Sequence, residues 1–229
     1  MIAVRLPDGS ERNLPSGASG ADLAAAIGPG LARAAVAVTV GGELRDLDRP
    51  LSDGDQVSIV TRRDDSEEAL YALRHSAAHV LATAVRELYP DAGIGFGPPI
   101  ENGFYYDFDV PTPFTPEDLA AIEERMAEVA MADYGFERSE LTRDEAEKLF
   151  ADDPLKLERL SEIPDGETIS AYTDGPFTDL CRGPHVPSTG EIKHYKLLSG
   201  AGAYWRGDET RQMLQRIYGT AFFEAKSLE

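Results

Sequence analysis

This chain of 229 residues is poor in cysteine, histidine and positive charge. Its single cysteine cannot form an internal disulfide, which predicts a protein of the reducing cytoplasm. No apolar run approaches the roughly 20 residues of a membrane-spanning helix, and the first residues lack the basic start of a signal peptide. Acidic residues outnumber basic ones by 41 to 22, and the net charge of −19 disfavours nonspecific binding to nucleic acid.

Residues 1–62 have the pattern of a small β-grasp, ubiquitin-like domain. Alternating apolar side chains predict its strands, near residues 2–6, 36–40 and 57–60. Ser19 is placed to cap a helix over residues 21–27, which we expect to end at Gly28-Pro29-Gly30. Because this domain contains no histidine and no cysteine, we expect it to be a binding or spacer module rather than a catalytic domain.

Residues 63–224 form the second expected domain, and the irregular order of strands and helices gives the whole chain an α+β class. We expect a mixed or antiparallel sheet and a central helix, which Asp65 and Glu68 open with capping-box spacing. An apolar stripe runs along one side of this helix, while His75 and His79 lie on the opposite side among alanines. Other predicted elements are a hairpin at Asn102-Gly103, helices beginning at Thr115-Pro116 and Thr142 and around Lys156, strands at 168–172, 177–181 and 191–198, and a helix at 209–218.

Three of the four histidines and the only cysteine fall into two short stretches, H-S-A-A-H at 75–79 and D-L-C-R-G-P-H at 179–185. Residues four apart on a helix are neighbours, so the rings of His75 and His79 can point at one place. A glycine and a proline between Cys181 and His185 favour a turn that follows a strand. Imidazole and thiolate are ligands that zinc prefers, so we expect the two pairs to meet in one pocket.

The chemistry of that pocket stays open at this stage. Four zinc ligands would make a closed structural site, whereas a catalytic zinc would need one of them replaced by water. In a metal-free pocket, His75 could act as a general acid or base near neutral pH. Asp179, on the same strand face as Cys181, could bind an ammonium group or orient a histidine. Lys156, taken alone, is more simply explained as a solvated surface residue.

Longer motifs carry a resemblance to a known family: H-S-A-A-H at 75–79, G-P-P-I-E-N-G-F-Y-Y-D-F at 97–108, D-L-C-R-G-P-H-V-P at 179–187, G-A-Y-W-R-G-D at 202–208 and M-L-Q-R-I-Y-G-T-A-F at 213–222. With these motifs the chain resembles the N-terminal half of bacterial-type threonyl-tRNA synthetases. Residues 1–62 are similar to their TGS domain and residues 63–224 to their editing domain. The resemblance implies that residues 225–229 begin a linker to an aminoacylation domain outside this chain.

The resemblance implies post-transfer editing: hydrolysis of the ester in seryl-tRNA(Thr), with threonyl-tRNA(Thr) spared. One methylene group discriminates by only about 1–3 kcal/mol, so a second, hydrolytic site is needed, and aminoacyl-tRNA synthetases are the general example of this double sieve. The implied partners are the acceptor end of tRNA(Thr) with its seryl adenosine and the rest of a synthetase, expected to be a homodimer.

The same resemblance implies roles for individual residues. His75 would act at the terminal ribose, Lys156 at the attacking water or the developing oxyanion, and Asp179 at the substrate ammonium. The substrate pocket would be lined by His79, Tyr105 or Tyr106, Cys181 and His185. No cofactor is expected for editing in the threonyl branch; zinc, if present, would be bound by His75, His79, Cys181 and His185. The ATP, magnesium and zinc of a full-length enzyme would act outside this chain.

Two rival hypotheses remain. A non-catalytic RNA-binding module with a structural zinc would use all four ligands and the segment between Cys181 and Tyr218, where six basic side chains accompany three acidic ones. Charge alone explains that segment equally well as a solvated face with ordinary ion pairs. An alanyl-type trans-editing deacylase would share the His and Cys pairs, but the motifs at 202–208 and 213–222 are typical of the threonyl branch.

Overall fold

The computed structural model describes residues 1–63 and 66–228, and the chain divides into two compact units. The first unit is Met1–Leu73 together with Gly183–Pro187, and the second is Arg74–Arg182 together with Ser188–Glu229. Helices accompany antiparallel sheets, which confirms the α+β class. Within the described residues, no helix is both long and apolar enough to cross a membrane.

The first unit combines a β-hairpin, helices and a three-stranded antiparallel sheet in the predicted β-grasp order. Its elements are β1 (Ile2–Arg5), β2 (Glu11–Leu14), α1 (Gly20–Ile27), α2 (Pro29–Ala34), β3 (Ala35–Val40), β4 (Glu43–Arg45) and β5 (Val57–Thr61). The sheet has the order β4-β3-β5, and a parallel bridge between Arg5 and Gln56 links the hairpin to it. Val4, Leu23 and Val38 are fully buried in its core, as the apolar pattern predicted.

Helix α1 begins and ends where the sequence predicted. The Ser19 hydroxyl accepts a hydrogen bond from the Asp22 N–H (3.3 Å), and the Asp22 carboxylate accepts one from the Ser19 N–H (2.8 Å). Helix α2 was not predicted, because its proline was interpreted only as a stop signal. Pro29 instead occupies the first turn of α2, where a backbone N–H would have no helical acceptor.

The second unit contains two antiparallel sheets. Its strands are β6 (Gly93–Ile94), β7 (Pro99–Ile100), β8 (Gly103–Asp109), β9 (Phe136–Leu141), β10 (Ile169–Asp174), β11 (Phe177–Leu180), β12 (His194–Tyr204) and β13 (Met213–Phe222). The larger sheet has the order β12-β13-β8-β6, with β7 also paired to β8, and the smaller has the order β11-β10-β9. The helices are α3 (Glu67–Leu88), of which residues 74–88 belong to this unit, α4 (Pro116–Ala132), α5 (Arg143–Leu149) and α6 (Pro154–Ser161).

The helices of this unit follow local signals in the sequence. Thr115 and Thr142 cap α4 and α5 at the expected starts, and each does so through a capping box. The cap predicted at Asp65 for α3 lies outside the described residues; the Ser66 hydroxyl accepts a hydrogen bond from the Ala69 N–H (3.2 Å). Both faces of α3 are buried, the apolar stripe as well as the alanines beside the histidines, so α3 is the predicted central helix.

The helix predicted at residues 209–218 is wrong: this stretch leads into strand β13. Leu214 and Ile217 are three positions apart, a separation that also occurs on one face of a helix. In the structure β13 is a central strand, paired with β12 on one side and β8 on the other. Leu214 and Ile217 lie on opposite faces of β13 and both are fully buried. A strand covered on both faces therefore gave a pattern that the sequence alone could not distinguish from a helix.

The predicted hairpin around Asn102 is present, with β7 and β8 as its strands. Ile100 pairs with Gly103, so the turn residues are Glu101 and Asn102, and Gly103 is already part of β8. A Cβ atom on Gly103 would overlap the carbonyl oxygen of Gly219 in β13. Glycine is thus required here for the close approach of two central strands rather than for the turn.

Candidate active site

Helix α3 and the residue after β11 bring two histidines and the cysteine together. The ligand atoms of His75, His79 and Cys181 lie within 4.8 Å of one another, and His75 Nε2 is 3.3 Å from the Cys181 sulfur. The two imidazole rings meet edge to face with 5.4 Å between their centroids. The Ser170 hydroxyl on β10 donates to the Cys181 carbonyl (2.6 Å), which fixes the backbone that carries the thiol.

His185 lies on Gly183–Pro187, the segment that packs with the first unit. Its side chain is buried, and its backbone N–H donates to the Asp46 carboxylate at 2.8 Å. Sequence reasoning did not anticipate this contact, because the two residues are 139 positions apart.

A buried ion pair between Lys156 and Asp179 forms the polar centre of the second unit. Lys156 on α6 is only 4% exposed, so it is not the solvated residue that the sequence alone favoured. Its ammonium also donates to the Gly95 carbonyl (2.8 Å) and to the Tyr106 hydroxyl (2.9 Å). The Tyr106 hydroxyl in turn donates to the second oxygen of Asp179. All three ammonium donors and both carboxylate oxygens are therefore engaged.

His79 connects this ion pair to the cysteine. Its Nε2 is 3.7 Å from an Asp179 oxygen, and its Nδ1 is 3.9 Å from an oxygen of Asp174 on β10. Burial acts to lower the pKa of His79, but the charges of Cys181 and Asp179 and the polar interaction with Asp174 outweigh it and raise this pKa to about 10. The imidazole of His79 is therefore held as a cation at neutral pH.

The electrostatics of Cys181 and Asp179 complement that cation. Burial acts to raise the pKa of the Cys181 thiol, but His75 and His79 outweigh it and lower the pKa to about 6. Burial also acts to raise the pKa of Asp179, yet Lys156 and His79 hold it below its usual value. At neutral pH the site thus contains a thiolate and a carboxylate, each beside a cation.

The reactivity of Cys181 provides a test of these electrostatics. In protein treated with a chelator, we expect the rate of alkylation by iodoacetamide to change little above pH 7, because the thiol is already mostly ionised there, and to fall below pH 6. His75→Ala should move the midpoint of this profile to higher pH, since an imidazole that lowers the pKa of the Cys181 thiol is removed. Rates recorded from pH 5 to 10 by mass spectrometry would measure it; a wild-type midpoint near that of a free thiol would contradict the ion pair.

Strand β8 directs its two adjacent tyrosines to opposite sides. Tyr106 joins the Lys156–Asp179 network and stacks on Phe108, with 5.2 Å between ring centroids. Tyr105 lies under the Arg216 guanidinium, whose carbon is 3.8 Å from the ring centroid. Of the pair named from the sequence, Tyr106 is thus the residue that the structure brings to the site.

Sequence reasoning missed Asp174 and Thr83. Asp174 is fully buried, and the Thr83 hydroxyl on α3 lies 2.7 Å from its Oδ2. In the sequence, Asp174-Gly175-Pro176 between two strands is typical of a hairpin turn, and Thr83 is one of several small residues on a helix. No local signal marked either as part of a site.

The basic segment between Cys181 and Tyr218 is largely neutralised. Five of its six basic side chains form ion pairs: Arg182 with Glu167, Lys196 with Glu123, Arg206 and Arg211 with Glu158, and Arg216 with Asp107. The acidic partners lie outside the segment, so its own charge balance did not reveal them. Ordinary ion pairs account for these charges better than a basic docking surface does.

The donor set of this unit fits a zinc ion. His75, His79 and Cys181 offer two nitrogens and one sulfur within 4.8 Å of one another. Three such ligands are what a zinc site with one open coordination position requires. Asp174 lies behind His79, where carboxylates commonly orient a metal-binding imidazole.

Comparison with known proteins gives matches in both units. The TGS domain profile matches residues 2–61, and the profile described as "Threonyl and Alanyl tRNA synthetase second additional domain" matches residues 169–218. Curated relatives include threonine–tRNA ligases of Pelobacter propionicus and Geobacter sp. (strain M21), each 56% identical over 230 residues. Threonine–tRNA ligase 1 of Bacillus subtilis is 50% identical over 231 residues. Each alignment covers 100% of this chain but 36% of the relative, so the chain spans about a third of their length.

The β-grasp unit and the α+β unit with its His/Cys cluster therefore define a chain of synthetase accessory domains, a TGS domain and a second additional domain. More particularly, the chain corresponds to the N-terminal TGS and editing region of threonine–tRNA ligases. This confirms the family resemblance found in its motifs.

Proposed function

We propose that residues 63–224 hydrolyse the ester of seryl-tRNA(Thr) and spare threonyl-tRNA(Thr). The observation that carries the proposal is the convergence of His75 and Cys181 beside the buried Lys156–Asp179 pair. The relatives' role as threonine–tRNA ligases supplies the substrate class. We propose further that the chain acts in the cytoplasm, on the acceptor end of tRNA, as part of a longer and dimeric synthetase.

His75 is the proposed acid–base residue at the terminal ribose. It is partly exposed, as Cys181 is, whereas His79 is 2% exposed. An imidazole at a pocket entrance can reach a ribose hydroxyl and can exchange protons with water near neutral pH. His79 and Cys181 shape the pocket around it.

Asp179 is the proposed receptor for the ammonium group of the seryl ester. Both of its oxygens are already engaged, by Lys156 and by Tyr106. The substrate ammonium must therefore share Asp179 with Lys156 or replace it. In either case the Lys156 ammonium is left beside the ester, where its charge can stabilise the developing oxyanion or hold the attacking water.

A zinc ion, where bound, would be held by His75, His79 and Cys181 and would supply a Lewis acid and a more acidic water molecule. The roles of Lys156, Asp179 and Tyr106 do not require it. We propose that editing proceeds without the metal, as the resemblance to the threonyl branch implies.

The deciding experiment is deacylation of Ser-tRNA(Thr) and Thr-tRNA(Thr), measured with and without a chelator. We expect serine to be released about 10- to 200-fold faster than threonine, because a pocket sized for serine excludes the additional methyl group. We also expect the chelator to leave the rate unchanged. Release of serine at the spontaneous rate would refute the proposal, and loss of activity with the chelator would refute its metal-free form.

The same samples distinguish the rival functions. An RNA-binding module with structural zinc predicts one bound zinc per chain and unfolding on chelation, with no hydrolysis. An alanyl-type trans-editor predicts cleavage of mischarged tRNA(Ala). This substrate should be tested because the matching profile describes both threonyl and alanyl tRNA synthetases.

A further inference from the structure

Asp174 is a fully buried carboxylate to which the proposed hydrolysis assigns no role. It ends β10, at the hairpin that leads into β11. Its Oδ2 accepts a hydrogen bond from the Thr83 hydroxyl at 2.7 Å, and its Oδ1 is 3.9 Å from His79 Nδ1. Thr83 and His79 lie one turn apart on α3, so a single carboxylate contacts two consecutive turns of the helix.

The hairpin by itself does not require a carboxylate at this position. Backbone pairing of Asp174 with Phe177 closes the turn, and a neutral side chain could make the same pairing. Withdrawing a carboxylate from water costs several kcal/mol unless charged or hydrogen-bonded partners compensate. The partners of Asp174 are the His79 ring and the Thr83 hydroxyl. The histidine therefore explains why a carboxylate occupies this buried position.

The surroundings of His79 leave its ring one favourable orientation. Among the described residues of the second unit, the charged or titratable groups that face it are His75 on α3, Asp174 on β10, Asp179 on β11 and Cys181 just after β11. The rings of Phe136 and Phe177 lie edge-on, 6.2 and 6.3 Å away. With Nδ1 toward Asp174, Nε2 faces Asp179. Turning the ring over would place a C–H group, which is a poor donor, against a buried carboxylate.

We propose that Asp174 is a positioning residue: together with Thr83 it holds the His79 ring so that Nε2 points at Asp179 in the pocket. The kinetic consequence rests on the proposed editing function, because Asp179 would receive the substrate ammonium there. The structural consequence does not, since the ring orientation is a property of the folded chain.

The test compares Asp174→Asn, Thr83→Val and Thr83→Ser in the full chain, with Asp208→Asn as the control. Asp208 is an exposed aspartate whose carboxylate accepts hydrogen bonds from Thr210, two residues further along the same turn. Long-range proton–nitrogen NMR spectra of the histidine rings report the chemical shift and the bound hydrogen of each ring nitrogen of His79. Steady-state hydrolysis of Ser-tRNA(Thr) gives kcat and KM separately, and thermal unfolding reports whether each variant is folded.

For Asp174→Asn we expect a loss of the defined Nδ1–H signal of His79 and a fall in kcat/KM of about 10- to 100-fold. Thr83→Val should show the same ring signature and a smaller kinetic loss, while Thr83→Ser, which keeps the hydroxyl, should restore both. An unchanged ring signal in folded Asp174→Asn would overturn the proposal. If Asp174→Asn does not fold, equal ring spectra for Thr83→Val and Thr83→Ser would overturn it. If the wild type has no hydrolase activity, the editing function fails while the ring spectra still decide the role of Asp174.

Discussion

Replacing Lys156 with methionine is expected to lower the rate of Ser-tRNA(Thr) hydrolysis about 100- to 1,000-fold and the free energy of unfolding by about 3–5 kcal/mol. Methionine keeps much of the side-chain volume but leaves Asp179 as a buried carboxylate without its main cation. Both partners are about 5% exposed or less, so water cannot replace the lost charge. Urea unfolding and single-turnover hydrolysis measure the two effects, and Lys148→Met, at an exposed position on α5, is the control.

The double variant Lys156→Met/Asp179→Asn makes this prediction sharper. Removing both charges leaves no buried unpaired ion, so the double variant should be more stable than Lys156→Met alone. Its activity should stay low, because both proposed catalytic groups are missing. Equal stability of the single and double variants would show that the pair is not coupled as its geometry indicates. Full activity in Lys156→Met would remove the lysine from the mechanism.

Replacing His75 with alanine is expected to lower kcat for Ser-tRNA(Thr) hydrolysis about 100- to 10,000-fold, with a small effect on stability. The loss follows from removing the proposed acid–base group at the ribose. Stability should change little, because this side chain is only partly buried and leaves no charge unpaired in the core. Quenched-flow measurement of serine release gives kcat directly.

His194→Ala is the matched control for this experiment, since His194 is the one histidine outside the two clustered stretches and lies on β12. It should hydrolyse at the wild-type rate. Equal rates for wild type and His75→Ala would withdraw the proposed role of His75 and shift attention to Lys156 as the group that acts on the ester.

The sequence determined those features whose cause is local. Capping boxes at Ser19, Thr115 and Thr142 fixed where helices begin, because the donor and the acceptor lie three residues apart. The spacing of His75 and His79 fixed their shared direction, since one helical turn separates them. Alternating apolar residues fixed the β-grasp unit. The motifs then gave the family, which no single contact could have supplied.

The tertiary structure decided everything that depends on partners far apart in the chain. Lys156 can be a buried ion because its ammonium donates hydrogen bonds to Gly95 and Tyr106, which are 61 and 50 positions away in the sequence. Asp174 met Thr83 across 91 positions, and neither had a local pattern that marked it. Residues 213–222 became a strand only because β8 and β12 lay on either side. Spacing over a few residues is enough to predict helices, helix caps and strands with alternating apolar side chains. The burial and charge of a side chain depend instead on neighbours that only the folded chain brings together.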